Sequence, residues 1–316
     1  MSCFQRWRNS ALRRFDSFKP LLFHLLLWGG LVASFSALSV ALQSSPCWDS
    51  QGEYSLLQQN SPAVPFPLKH AHSHNDYAQS MPLTAALLAG FCSIEADVFM
   101  KNSRLFVGHQ FITPTDHTLS LLESYLLPLM ARSSANGNGP IYPQATKLQT
   151  CLQITLLVDI KSSNAMDTYK QLEGDLERLN QNFTYFETFG GGTASALPAP
   201  VSVVVTGLKP QHVEEIVRWV ALRNGTRRTS LDLSYESQAP QELALSRWIS
   251  HRWNFGRSSG DHEYIQQRVQ FARENNLQLR FWNTPEDPAL WQALLDLGVD
   301  LINTDRIFTL RSFLAG

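Results

Sequence analysis

The 316-residue chain is poor in three features, and each shortage excludes a class of protein. Charge is sparse and balanced: 17% of residues are charged, and 26 Lys and Arg nearly cancel 27 Asp and Glu. With 44% apolar residues, the chain cannot be intrinsically disordered, which requires low hydrophobicity and high net charge. The same balance leaves no basic footprint for a nucleic acid, so none is expected as a partner. Cysteine is scarce, and 4 in a chain of this length cannot be its main staple, which excludes a disulfide scaffold. No internal repeat is present, which excludes a solenoid or a propeller. A globular domain remains.

Its amino end is unlike the rest. Residues 1–20 carry Arg6, Arg8, Arg13, Arg14 and Lys19 against Asp16 alone, and the 22 residues from Leu21 to Leu42 carry no formal charge. A helix of that length spans about 30 Å of hydrocarbon, and the flanking cations would keep the amino end cytosolic. The expectation is a basic cytosolic segment at 1–20, a transmembrane anchor at 21–42, a Pro- and Ser-rich linker at 43–67 and a domain at 68–316. The domain would then lie on the lumenal or extracellular side of a single-pass membrane protein. Secretion after cleavage near Ser39-Val40-Ala41 is the alternative. On that side Asn182-Phe183-Thr184 and Asn224-Gly225-Thr226 would be glycosylation acceptors. Cys47, Cys92 and Cys151 could form a disulfide there, with no pairing assignable from an odd count.

Residues 68–316 number about 250, the size of one closed (β/α)8 barrel. Eight short apolar or β-branched runs recur: Leu68–Ser73, Cys92–Val98, Ile154–Ile160, Val201–Thr206, Thr229–Leu233, Trp248–Asn254 (the weakest), Leu277–Trp282 and Val299–Asn303. Between them lie stretches with apolar residues three and four apart, such as Leu119–Met130, Gln211–Leu222, His262–Arg273 and Ala289–Leu297. Strands alternating with helices imply parallel pairing, so the fold class is α/β, a TIM-type barrel. Two inserts, Arg132–Thr150 and Gln181–Pro200, read as flexible loops.

In such barrels the reacting groups sit at the carboxyl ends of strands, and polar residues end several of these runs. Glu95 and Asp97 are two apart in a strand and so face the same side. Two like charges aimed at one point need a cation or a shared proton. With Asp159 at the end of the next run, they form an all-oxygen set suited to Mg²⁺ or Ca²⁺. Pairing of these acids with Lys or Arg at the rim is the plainer alternative. His72 and His109 flank them in sequence, and two imidazoles beside a cation suit general acid–base cleavage of a phosphodiester, with Lys161 adding positive charge.

The stretches His72-Ser73-His74-Asn75-Asp76-Tyr77, Ile94-Glu95-Ala96-Asp97-Val98, Val107-Gly108-His109, Val158-Asp159-Ile160-Lys161 and Phe281-Trp282-Asn283 resemble the PLC-like phosphodiesterase superfamily. That group includes glycerophosphodiester phosphodiesterases and sphingomyelinase D toxins. Within it the chain is most similar to the altered inheritance of mitochondria protein 6 family. The resemblance implies that His72 and His109 are the acid–base pair and that Glu95, Asp97 and Asp159 hold one Mg²⁺ or Ca²⁺. It implies that Lys161 and Trp282 line the phosphate and leaving-group side. Two departures stand out: Ser73 replaces the Arg that follows the first His in glycerophosphodiesterases, and Pro82-Leu83-Thr84 stands where Glu-Asn-Thr is expected. His74, Asn75 and Asp76 could compensate in binding substrate or a metal-bound water.

The function these residues predict is a metal-dependent phosphoric diester hydrolase or lyase acting on a lipid-type or glycerol-type phosphodiester near a membrane. Two other readings use the same residues. His72-x-His74 is also the spacing of zinc hydrolases of the amidohydrolase and polymerase-and-histidinol-phosphatase kinds. A barrel that has kept the fold and only binds a lipid or a partner is the non-catalytic reading.

Overall fold

The computed structural model describes residues 66–109, 118–190, 196–197, 199–254 and 259–316. Eleven strands lie among them: β1 (Leu68–Ser73), β2 (Phe91–Lys101), β3 (Arg104–Val107), β4 (Ile154–Ile160), β5 (Thr188–Phe189), β6 (Ala196–Leu197), β7 (Val201–Thr206), β8 (Thr229–Leu233), β9 (Ser246–Arg252), β10 (Gln278–Trp282) and β11 (Leu301–Thr304). Eight form a parallel sheet in the order β1, β2, β4, β7, β8, β9, β10, β11. Because β1 pairs with both β11 and β2, the sheet closes on itself. These eight correspond one to one with the runs read from sequence, including the weak one, whose strand begins at Ser246. The ninth strand of the sheet, β3, turns back antiparallel along β2.

Helices cover the outside of the barrel. Helix 165–179 starts where the Asn164 side chain accepts the Asp167 backbone N–H, and it buries Tyr169, Leu172 and Leu176, the three-and-four spacing of an amphipathic helix. Helix 288–297 starts with Asp287 as cap and Pro288 in its first turn, where a missing N–H costs little. It ends at Gly298 with φ 91°, the left-handed geometry glycine adopts without strain. Most of the apolar core lies between helices and barrel. Inside the barrel a small second cluster of Leu157, Val204, Trp248 and Leu301 fills the axis, so the cylinder is a packed core and its open end is the carboxyl end of the strands.

Two expectations about the chain are corrected here. The insert at 132–150 is not a loose loop. It continues a helix to Ala135 and forms a short one at Ala145–Leu148. Its Tyr142 is buried, with the hydroxyl in reach of the Leu87 and Phe91 carbonyls at 3.1 and 2.8 Å. A buried ring whose hydroxyl meets backbone acceptors anchors a segment that composition alone marks as flexible. Just beyond it, Cys151 is bonded to Cys92 across 59 residues, a pairing the odd cysteine count left open. In the second insert, β5 and β6 pair and Phe186 and Phe189 are buried.

The second correction concerns the membrane. Among the described residues no helix is long and apolar enough to cross a bilayer, and residues 21–42 lie outside them, as do 1–20 and most of the 43–67 linker. The single-pass placement and its secreted alternative are therefore withdrawn. Asn182 and Asn224 are both exposed.

Candidate active site

The register of β2 against β4 sets the site. Asp97 and Asp159 are direct partners across this parallel pair, and Glu95 lies two residues below Asp97 on the same face. Ligand oxygens of the three acids all lie within 4.8 Å of one another, the one such group of His, Cys, Asp or Glu among the described residues. Gly207, with φ 78°, makes room for it, because a Cβ there would stand 2.3 Å from Asp159 Oδ1 and 2.6 Å from the Ile160 carbonyl.

The acids are not equally supplied with partners. Asp97 is fully buried, and its Oδ2 has His109 Nδ1 at 2.7 Å, the Tyr77 hydroxyl at 3.1 Å and Lys161 Nζ at 3.4 Å. Its Oδ1 has no hydrogen-bond partner, and neither has Asp159 Oδ1, although Asp159 Oδ2 accepts from Lys161 Nζ at 2.6 Å. Burial, and then the charge of Glu95, pushes the Asp159 carboxyl up to about 6 and raises Asp97 as well. For Lys161, burial pulls its ammonium down, but Asp159 overrides that and raises it. Orphaned carboxylate oxygens in a buried cluster are costly unless something binds them. A hard divalent cation fits a donor set made only of oxygens.

His72 ends β1, and its ring is fully buried, with Trp248 edge-on at 5.7 Å. Its Nδ1 is 2.7 Å from Ser93 Oγ, while its Nε2 is 2.7 Å from Arg280 Nη1 and 2.9 Å from Glu95 Oε2. Nε2 thus meets a guanidinium, which only donates, and a carboxylate, which only accepts, while Nδ1 meets the Ser93 hydroxyl. Burial, with Arg280 next, brings this imidazole down to about 4, which makes it neutral at pH 7. On Glu95, burial pushes the carboxyl upward, but Arg280 Nη1, donating to Oε2 at 2.6 Å, outweighs it and holds the group below the usual range.

His109 is brought to the same mouth from the end of β3 with its side chain exposed and Nδ1 held by Asp97. The other nominated residues are peripheral to the acids. His74 Nδ1 lies 2.8 Å from Asp305 Oδ1, and the Asn75 amide is 3.1 Å from the same nitrogen. Asn75, at φ 46°, also has the Tyr77 hydroxyl 3.0 Å from its Oδ1, so a line of polar contacts joins His74 to Asp97. Asp76 points elsewhere: it accepts from Ser73 Oγ, the Leu83 N–H and the Tyr125 hydroxyl, and so holds the loop after β1. Trp282 shares the strand face of Arg280 by its two-residue spacing, and Arg252 lies 5.4 Å over its ring. Neither His72 nor His74 is among the residues of the acid cluster.

Sequence reading missed Arg280, the residue that touches both His72 and Glu95. A signal existed: it is the one charged residue inside the Leu277–Trp282 run, and a buried charge in a strand must be paired. Its Nε also donates to Ser250 Oγ at 3.1 Å, and its Nη1 to Asn303 Oδ1 at 3.2 Å.

The closed parallel barrel carries the acid cluster and both imidazoles at its carboxyl-end mouth, and family matches place it among phosphodiesterase domains. Residues 63–218 match an AIM6-like phosphodiesterase domain, and residues 278–306 match the glycerophosphoryl diester phosphodiesterase family. The chain belongs to the altered inheritance of mitochondria protein 6 family. It is 30% identical over 268 residues to the homolog from Arthroderma benhamiae, covering 77% of this chain and 82% of that one. It is 27% identical to the protein from Eremothecium gossypii, covering 86% and 75%. Among solved structures, a glycerophosphodiester phosphodiesterase from Parabacteroides distasonis overlaps 79% of this chain and 96% of its own, with 13% identity and a TM-score of 0.45.

Proposed function

We propose that the chain is a metal-dependent phosphodiesterase that cleaves a glycerol-type or lipid-type phosphodiester by general acid–base catalysis. One observation carries this reading: two buried carboxylate oxygens, Asp97 Oδ1 and Asp159 Oδ1, stand without partners in a cluster completed by Glu95. Glu95, Asp97 and Asp159 would hold Mg²⁺ or Ca²⁺. Such an ion, when bound, neutralises charge on phosphoryl oxygens. The glycerol-type head group is taken from the name of the family matched at residues 278–306.

His72, neutral at pH 7, is the base. It takes the proton from the attacking oxygen, which belongs to water or to an adjacent substrate hydroxyl, as the new P–O bond forms. His109 is the acid. Its proton goes to the leaving alkoxide as the old P–O bond breaks, and Asp97 keeps the ring oriented through Nδ1. Lys161 adds positive charge beside the phosphate. Attack by a substrate hydroxyl gives a cyclic phosphate, and attack by water gives an open product. Mass spectrometry of products from a phosphodiester panel, with the full chain in Mg²⁺, in Ca²⁺ and in EDTA, tests this reading. Metal-dependent turnover that is lost in His109→Ala and Glu95→Gln is expected, and equal turnover by wild type and both variants overturns it.

A further inference from the structure

At the carboxyl ends of β9 and β10 a further cation faces the barrel mouth. The two strands run parallel in register, with Ser250 beside Arg280 and, two residues further out, Arg252 beside Trp282. Side chains two apart in a strand share a face. Arg280 donates to Ser250 on the inner wall, so Arg252 and Trp282 stand on that wall too, about 6.5 Å nearer the mouth. Exposure follows the same ladder: Ser250 and Arg280 are buried, Trp282 is half-buried and Arg252 is exposed. In the closed strand order β9 is four strands from β2, and β10 is four from β4. Arg252 and Trp282 therefore face Asp97 and Asp159 from the opposite wall.

The charges around the mouth are unevenly committed. Arg280 is bonded to Glu95, and Lys161 to Asp159. Glu286 and Asp305, the first acids after β10 and β11, are engaged as well: Glu286 accepts from the Thr304 hydroxyl and the Asp305 N–H, and Asp305 Oδ1 meets His74. Arg252 pairs with no carboxylate among the described residues, and its guanidinium lies over the Trp282 ring, Cζ 5.4 Å from the centroid. A guanidinium laid over an indole keeps its edge N–H groups for a ligand, and those donors match a carboxylate or a phosphate in pairs. A quaternary ammonium group would seek the same indole face. Here it finds that face covered by a like charge.

We propose that Arg252, stacked on Trp282, is an anion subsite: it takes a second oxyanion, a carboxylate or a phosphate, on the alcohol part of the phosphodiester, and so selects anionic head groups over choline-type ones. The subsite deepens the phosphodiesterase reading above and rests on it for the place of the phosphodiester itself, against the acids of the opposite wall.

Isothermal titration of the full chain in the His109→Ala background, which that reading leaves without turnover, measures the subsite with Mg²⁺ and again in EDTA. The probes share one scaffold: glycerophosphoglycerol, its two analogues ending in a carboxylate or a phosphate, and glycerophosphocholine. With Mg²⁺ the better anionic analogue should bind about tenfold tighter than glycerophosphoglycerol, the scale of hydrogen bonding to a charged group, and glycerophosphocholine most weakly. The analogue that ranks first names the oxyanion. Adding Arg252→Gln should erase the ranking. Arg252→Glu should invert it and put glycerophosphocholine first, which a merely structural arginine would not do. Equal affinities with Mg²⁺, or a ranking that survives Arg252→Gln, overturn the subsite. A ranking that is intact but indifferent to Mg²⁺ and Ca²⁺ strikes the metal-dependent reading and leaves the subsite standing, and no binding of any probe removes both.

Discussion

At the amino end of the barrel Glu187 accepts two bonds from Arg247, at 2.8 and 3.0 Å, and one from Ser202 Oγ at 2.9 Å. Beside it Arg227 donates to the Thr229 carbonyl and lies 4.1 Å over the Phe189 ring. At the carboxyl end three acids crowd within 4.8 Å, and two of their buried oxygens have no partner. Both ends bury charge. The Glu187–Arg247 pair meets its charge with hydrogen bonds on both carboxylate oxygens, whereas the acid cluster leaves Asp97 Oδ1 and Asp159 Oδ1 without any. An unmet buried carboxylate costs stability that a bound cation returns, so the acid cluster is where a ligand is expected.

Substitutions at the two ends should therefore separate stability from activity. The largest effect belongs to the open end: Asp97→Asn, which removes a ligand and the anchor of His109, should lower phosphodiester turnover by about 10³-fold with no loss of thermal stability in EDTA. A tenfold loss or less would place the chemistry elsewhere. At the Glu187–Arg247 pair, Glu187→Ala leaves Arg247 with Ser202 Oγ as its remaining partner and should cost about 2 kcal/mol in urea unfolding while activity per folded molecule stays at the wild-type value. Unfolding that costs nothing would erase the contrast.

The third test uses pH. Asp159 is raised from 3.8 to about 6, chiefly by burial, so between those values the folded protein holds a proton that the unfolded chain releases. Its contribution to stability therefore falls as pH rises through that window and is least favourable above about 6. Asp159→Asn should stabilise the ion-free protein at pH 7 by of order 2 kcal/mol, with the gain over wild type vanishing toward pH 4. A gain that grows on acidification would have the wrong sign. The smallest effect is at Tyr77, whose hydroxyl is one of several groups on Asp97 Oδ2. Tyr77→Phe should reduce kcat by no more than about tenfold, measured at saturating ion.

Much of this was legible in one dimension. The alternation of β-branched runs with three-and-four periodic stretches marked all eight barrel strands, and Glu95 and Asp97 declared a shared face by their spacing. The pairing of Cys92 with Cys151 was not legible, nor was the packing of residues 132–150, because both depend on which distant segments meet. Arg280 was hidden for a similar reason: its partners His72 and Glu95 lie 208 and 185 residues away along the chain.

By itself the sequence determined the eight barrel strands, their parallel pairing and the residue types at each strand end, since periodicity and strand parity are local properties of the chain. Tertiary structure alone decided how those ends share their charge. Closing the barrel brings β10 across from β1 and β2, buries Arg280 against Glu95 and His72, and leaves Asp97 and Asp159 each one oxygen short. Burial and through-space proximity set those energies, and neither has a value until the cylinder is shut.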